Sequence, residues 1–274
     1  MRGPRPDGVE WEGVLAVATE PAIDDQIAFY QRNGFAKFDA VLTPEEVEEF
    51  RAALARATQR PGVGYTYRKG GQYTQHVNVW TMDETVRRYV CNPKLAEIAR
   101  RLSGPRAVRL WHDQEIIKMP GDRPSAWHQD LVVWPMVEAG PLTCWTALVD
   151  VSVEMGCMSF IPASQRWGRL AASTLSRDLQ ESLDGLRLLV PEDKRDRLRP
   201  TTIELKAGSC TFHNALTLHY AGPNTTDRPR EGFIINYMPD PTTYNGLPHV
   251  TTDPLNLTPG QPITGDLFPI LASA

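Results

Sequence analysis

Long apolar runs are missing from this chain of 274 residues: none reaches the roughly 18 to 20 uninterrupted apolar positions of a membrane span. The stretch from Met1 to Val14 is polar and proline-bearing, without the apolar centre of a secretory signal, so a cytoplasmic protein is expected. Cysteine is scarce. Cys91, Cys144, Cys157 and Cys210 are scattered and form no C-x-x-C pair, and a chain of this length needs no disulfide staples, so free and mostly buried thiols are expected. Basic blocks are lacking too. The net charge of -4 is spread along the sequence, which gives no track for a phosphate backbone and argues against a nucleic-acid partner. No internal repeat is apparent.

Hydrophobic residues make up 41% and charged residues 23%, enough apolar material for a full core. No hydrophobic period emerges before Ile23, so residues 1–20 read as a flexible arm and 21–274 as one domain. Ile23, Ile27, Phe29 and Tyr30 recur near helical spacing and stop at Asn33-Gly34, a pair suited to a left-handed cap. A short strand follows over Gly34 to Phe38. Thr43-Pro44-Glu45-Glu46 then supplies an N-cap, a proline at the first helical position and a glutamate at the third, with Val47, Phe50 and Leu54 as the buried face. One further helical segment is predicted over Asp83 to Arg101. Beyond Ala107 the texture changes to short apolar runs broken by Gly, Pro and Asp: Val108 to Met119, Cys144 to Val151, Met158 to Ile161, Thr202 to Leu205, Cys210 to Phe212 and Phe233 to Met238. Such a series predicts an all-β core, barrel or sandwich, with flanking helices. The stretch from Ala171 to Val190 reads as a loop or short helix between strands.

Trp127-His128-Gln129-Asp130 carries the first chemical signal. On extended chain residues i and i+2 share a face, so His128 and Asp130 can meet one ion. Two histidines and a carboxylate on one triangular face leave the other positions of a metal open, the arrangement of non-haem iron oxygenases. His219, in Leu218-His219-Tyr220-Ala221-Gly222-Pro223-Asn224, is the candidate second histidine among the six present. Asp227-Arg228-Pro229-Arg230 follows and leads into an apolar strand, which would place the Arg230 guanidinium in or beside the barrel, where a bidentate carboxylate is its natural partner. Arg228 reads as its solvated neighbour.

With these residues in place, the chain resembles the phytanoyl-CoA dioxygenase family of iron(II)/2-oxoglutarate oxygenases. The likeness runs from about Asp25 to Asn245. It includes Phe29-Tyr30-Gln31-Arg32-Asn33-Gly34-Phe35, Leu42-Thr43-Pro44-Glu45-Glu46, Trp127-His128-Gln129-Asp130, Cys144-Trp145-Thr146-Ala147, Gly156-Cys157-Met158, Ile161-Pro162-Ala163-Ser164 and His219-Tyr220-Ala221-Gly222-Pro223-Asn224. The resemblance implies a double-stranded β-helix, a jelly-roll barrel with helices on one side. It implies Fe(2+) on His128, Asp130 and His219, 2-oxoglutarate and O2 as co-substrates, Arg230 on the distal carboxylate, and Gln114, Gln129 and Trp145 lining the co-substrate pocket. Two departures stand out: Ala221 replaces a serine common in relatives, which removes a hydroxyl from the co-substrate pocket that another donor, Thr211 or Gln114, would have to replace, and Gln165 replaces a histidine.

The implied reaction is oxidative decarboxylation of 2-oxoglutarate to succinate and carbon dioxide, coupled to oxidation of a substrate C–H bond. Hydroxylation is the default outcome, with cyclisation, desaturation or epimerisation as alternatives, and a metal- or ligand-binding barrel without turnover as the non-enzymatic one. Asp130 disfavours halogenation, since halogenating relatives lack that carboxylate. His76, Trp80, Trp127 and Trp134 are the candidate substrate residues, with Met136 beside them as apolar wall. His213 reads as a wall histidine rather than a fourth ligand, His112 as a pocket or core residue, and Arg68-Lys69 as a solvated loop that could meet an anionic substrate. A free small metabolite, an intermediate of secondary metabolism, is the expected substrate.

Overall fold

The structure is a computed structural model that describes residues 20–59, 65–68, 71–104, 107–170 and 181–273. The expected arm up to residue 19 and the Arg68-Lys69 pair through Lys69 lie outside them, as do residues 171–180.

Helix α1, Glu20–Asn33, ends at Gly34, whose φ of +82° is left-handed and whose N–H donates to the Tyr30 carbonyl. A Cβ there would stand 2.4 Å from Gln165 Oε1, so glycine serves both the turn and the close approach. Strand β1, Phe35–Phe38, leads to α2, Pro44–Thr58. The predicted capping box is present: Thr43 Oγ1 accepts from the Glu46 N–H at 3.2 Å, and Glu46 Oε2 accepts from the Thr43 N–H at 2.8 Å. The single helix expected over Asp83 to Arg101 is two, α3 at Glu84–Val90 and α4 at Pro93–Ser103. Pro93 has no N–H to continue α3 and its ring would meet the preceding turn, so Asn92 caps a new helix by accepting from the N–H groups of Lys94 and Leu95.

Eleven further strands and one helix follow: β2 Tyr65–Arg68, β3 Thr74–Val77, β4 Ala107–Lys118, β5 Ser125–His128, β6 Leu142–Ala147, β7 Met158–Phe160, α5 Leu183–Leu189, β8 Thr201–Ile203, β9 Cys210–Asn214, β10 His219–Ala221, β11 Arg230–Asp240 and β12 Ile270–Ala272. Among the described residues all strand pairings are antiparallel. The major sheet runs β1-β9-β6-β11-β4-β3-β2, with β12 also on β4, and the minor sheet runs β5-β10-β7-β8. Two such sheets with helices on one side are the jelly-roll expected. The short strands β2, β3, β5, β10 and β12 carry too few residues to show an alternation in the sequence.

Side-chain alternation divides the major sheet into two faces. Phe233, Ile235 and Tyr237 of β11, Leu142 and Cys144 of β6, and Cys210 and Phe212 of β9 join the cluster that α2, α3 and α4 cover. Phe50, Tyr89 and Phe233 form its aromatic centre, with ring centroids 4.4 to 5.9 Å apart. Truncating such a buried Phe to Ala costs about 3 to 5 kcal/mol. The opposite face carries Asn236, Thr143 and His213 toward the minor sheet. In β4 the register shifts between Asn236, paired with His112, and Tyr237, paired with Leu110. The extra residue is Trp111, and this bulge aims His112 inward while Leu110 stays under the helices. The cysteines carry no disulfide, and Cys144, Cys157 and Cys210 are buried.

Candidate active site

A cavity of about 530 Å³ opens between the two sheets. On its minor-sheet side His219 lies directly across the β5-β10 ladder from His128, so their rings meet with centroids 4.1 Å apart. Asp130 follows at the first residue of a 3-10 turn, Asp130–Val132, which bends the chain so that its Oδ1 stands 3.6 Å from Nε2 of both histidines. His128 and His219 are thus held on paired strands, whereas Asp130 is brought to them by the turn and not by strand alternation.

The imidazoles are oriented as metal ligands require. Nδ1 of His128 donates to the Ala126 carbonyl at 2.7 Å and Nδ1 of His219 to the Thr217 carbonyl at 3.0 Å, which leaves each Nε2 lone pair facing the other groups. Burial, and then the neighbouring His128 ring, push the His219 pKa well below the ordinary imidazole value. Burial opposes ionisation of Asp130, but the imidazoles of His219, His213 and His128 outweigh it and hold the carboxyl well below the usual range. An ionised carboxylate with neutral imidazoles is the form that binds a cation. Among the described residues this is the one group of three or more His, Cys, Asp or Glu side chains that could hold a metal, with ligand atoms within 4.8 Å of one another.

At another part of the cavity Arg230 is buried to 2% exposure. Its Nη1 donates to the Gly156 carbonyl at 3.1 Å, its Nε has no hydrogen-bond partner among the described residues, and the Trp145 ring lies 5.2 Å away. No carboxylate among the described residues is ion-paired with it. Burial lowers its pKa to about 10, with Tyr73 the foremost opposing neighbour, so the guanidinium remains charged at neutral pH. Lys118, its cross-strand partner, donates to the Arg123 and Gly222 carbonyls and is pushed by burial, then by Arg230, to about 6. Arg230 is therefore the cation left to meet an anion in the cavity.

The profile of the phytanoyl-CoA dioxygenase family matches residues 30–232. The chain belongs to that family. Like its relatives, this phytanoyl-CoA dioxygenase family member is a non-haem iron, 2-oxoglutarate-dependent oxygenase. It is 26% identical over 238 residues to ectoine dioxygenase of Bordetella parapertussis, covering 81% of this chain and 77% of that protein. Among solved structures it is similar to the α-ketoglutarate-dependent carbocyclase SnoK from nogalamycin biosynthesis, at 29% identity and a TM-score of 0.76, over 90% of this chain and 96% of SnoK. It is equally similar to the epimerase SnoN in complex with Fe3+, α-ketoglutarate and nogalamycin RO, at 30% identity and a TM-score of 0.76, over 93% and 100%. No helix of the described residues is long and apolar enough to cross a membrane.

The remaining sequence expectations divide. Gln114, Trp145, Trp127 and Trp134 border the cavity, as do Ala221 and His112, whereas Thr211, the other proposed replacement donor, does not. Gln129 corrects the expectation of a co-substrate contact. Although it borders the cavity, its amide donates to the Gly168 and Leu216 carbonyls and accepts from the Leu170 N–H, so it fastens two loops and both its donors are spent on the backbone. His76 and Trp80 also differ from expectation. Gln75 and Val77 of β3 face the cavity, so His76 between them faces away, with Nδ1 2.8 Å from Glu115 Oε2. Trp80 packs in the helix-covered cluster beneath Arg87. Met136 is core and does not border the cavity.

The sequence reading missed four contributors. Tyr73 borders the cavity with its phenol pushed up to about 12 by burial and by Asp130, hence protonated. His249 borders it from the C-terminal loops. Thr143 and Asn236 stand in one row across the sheet with His112 and His213: His112 pairs with Asn236, Asn236 with Thr143, and Thr143 with His213. Their signal was a polar residue at the inward parity of otherwise apolar strands.

Proposed function

We propose that this chain oxidises an unactivated C–H bond of a small secondary metabolite, with hydroxylation as its outcome. In this reading His128 Nε2, Asp130 Oδ1 and His219 Nε2 hold the iron, and Arg230 holds the distal carboxylate of 2-oxoglutarate. The observation that carries the reading is the pairing, within one cavity, of an oriented His-Asp-His face with a buried guanidinium that no carboxylate of the described chain neutralises. A buried cation without a partner is costly, and a co-substrate carboxylate supplies one.

When bound, iron supplies the activation of dioxygen that couples decarboxylation of 2-oxoglutarate to cleavage of the substrate C–H bond. The residues of the chain supply the rest. Trp145 lies against the guanidinium and holds it toward the cavity. Tyr73, protonated, lines the same cavity. Trp127 and Trp134 keep the substrate side apolar and exclude water.

Incubation with iron(II), 2-oxoglutarate and candidate metabolites, read by succinate release, tests this. Succinate that never depends on iron or 2-oxoglutarate would sink it. Ring closure or epimerisation is the second reading, favoured by the likeness to a carbocyclase and an epimerase at 29 and 30% identity. The product mass separates them: hydroxylation adds an oxygen, ring closure removes two hydrogens, and epimerisation leaves the mass unchanged.

A further inference from the structure

Beyond the iron face and Arg230, a third polar region borders the cavity and has no part in holding either group. His112 is exposed to only 1%, and its two ring nitrogens differ. Nδ1 lies 3.3 Å from both Gln114 Nε2 and Asn236 Nδ2, two amide donors on the same sheet. A nitrogen that accepts carries no proton, so the proton of the neutral ring sits on Nε2. That Nε2 is buried and has no hydrogen-bond partner among the described residues. The ring is neutral because burial, and then His249, lower its pKa to about 3.

His249 repeats the pattern from another element. Its Nδ1 accepts from the Thr251 N–H at 3.2 Å, which places its proton on Nε2 as well. Burial holds its pKa at about 4, so it too is neutral. The two rings lie 5.6 Å apart and within 29° of parallel, and the Trp134 ring stands edge-on to His112 at 6.3 Å. All three border the cavity. Two neutral N–H donors beside an apolar wall suit an uncharged oxygen acceptor, and they oppose a cationic group.

Resting on the oxygenase reading above, we propose that His112 and His249 form a substrate-anchoring subsite. They hydrogen-bond a carbonyl or hydroxyl oxygen of the substrate and thereby decide which C–H bond faces His128, Asp130 and His219. The bulge at Trp111 serves this subsite, since strict alternation through β4 would not put both Leu110 under the helices and His112 on the cavity. A buried donor left without a partner costs about 1 to 3 kcal/mol, so a ligand lacking the oxygen is disfavoured.

The test uses 1-tetralone and tetralin, which share a ring frame and differ by one carbonyl. Protein labelled with 15N-histidine and loaded with zinc and 2-oxoglutarate is titrated with each, and the His112 Nε2 resonance, assigned by its loss in H112Q, is followed. The expected result is a tetralone-dependent shift of that resonance, and a wild-type preference for tetralone over tetralin of about tenfold or more. In H112F the preference disappears; in H112Q, which keeps a donor, part of it remains. An unmoved His112 resonance, or equal affinity of the wild type for the two probes, overturns the subsite. The anaerobic iron(II)–2-oxoglutarate charge-transfer band, measured on wild type and both variants, separates the two levels. Its absence from wild type would overturn the oxygenase reading beneath the subsite, whereas its persistence in H112F alongside lost tetralone preference supports both.

Discussion

His213 Nε2 stands 3.3 Å from Oδ2 of Asp130, while Oδ1 of the same carboxylate stands 3.6 Å from Nε2 of both His128 and His219. The Thr143 hydroxyl lies 2.9 Å from the same Oδ2 and 2.9 Å from Asn236 Oδ1. The two oxygens of Asp130 are thus given different tasks: one is occupied by donors on the major sheet, and the other is turned to the histidines of the minor sheet. His213 is a positioning residue, and its nitrogen is spent on the carboxylate.

Replacing His213 should accordingly loosen the metal site without removing a ligand. H213F is expected to weaken anaerobic iron(II) binding by about 10- to 100-fold, the usual effect of losing a group that orients a ligand. H213Q, which can still donate to Oδ2, should recover most of that loss. Equal iron affinity in wild type and H213F would show that the carboxylate is held by Thr143 alone.

Arg230 sets function against stability. R230L should abolish tight 2-oxoglutarate binding, a loss of about 2 to 5 kcal/mol, or some 30- to several thousandfold in the dissociation constant. Without 2-oxoglutarate the same variant should unfold at an equal or higher urea concentration than wild type, because the buried guanidinium has no carboxylate partner within the described chain. A clear destabilisation of R230L would mean that the Gly156 carbonyl and Trp145 ring already compensate the charge.

Gly232 makes room for the ring that lies against Arg230. A Cβ at this position would stand 2.4 Å from Trp145 Cζ2, far inside van der Waals contact, and the site is on a strand with no turn to relieve it. G232A is expected to cost about 1 to 3 kcal/mol of stability and, by displacing the indole, to raise the KM for 2-oxoglutarate. Urea denaturation and succinate kinetics read the two effects, and a variant normal in both would show that Trp145 moves freely.

Much of this architecture is legible in the sequence, for reasons that particular residues make plain. Thr43 to Glu46 carry a local capping code, and Val47, Phe50 and Leu54 a local period, so the start and the buried face of α2 were readable. His128 and Asp130 were readable as a pair from their closeness along the chain, although Asp130 reaches the site through the 3-10 turn and not by strand alternation, and Arg230 was readable from its place at the head of an apolar strand. His76 and Trp80 misled because nearness to a polar, aromatic stretch says nothing of strand parity: one residue's difference in β3 sends Val77 to the cavity and His76 to Glu115. The row from His112 through Asn236 and Thr143 to His213 joins four strands by register, and the bulge at Trp111 shifts that register, so neither is encoded by spacing along the chain. Gln129 misled in another way. Its neighbours bind at the site, but its own amide is consumed by backbone groups of two distant loops.

Acid sensitivity gives a final prediction, independent of metal and substrate. His112 has a folded pKa of about 3 against an ordinary value of 6.5, with burial as the main cause. A depressed folded pKa means that the unfolded chain takes up the proton first. The stability this residue permits is therefore fully present above about pH 6.5 and is lost as pH falls toward 3. For metal-free protein the loss attributable to His112 between pH 6.5 and 4.5 is about 2 kcal/mol. H112Q carries no titrating ring, so the stability difference between H112Q and wild type should shift in favour of H112Q by about that amount over the same interval. Urea unfolding at a series of pH values measures it. A difference that stays constant from pH 6.5 to 4.5 would show that the His112 ring, or a group beside it, accepts a proton in the folded state, and it would remove the neutral Nε2 donor from which the substrate-anchoring subsite was argued.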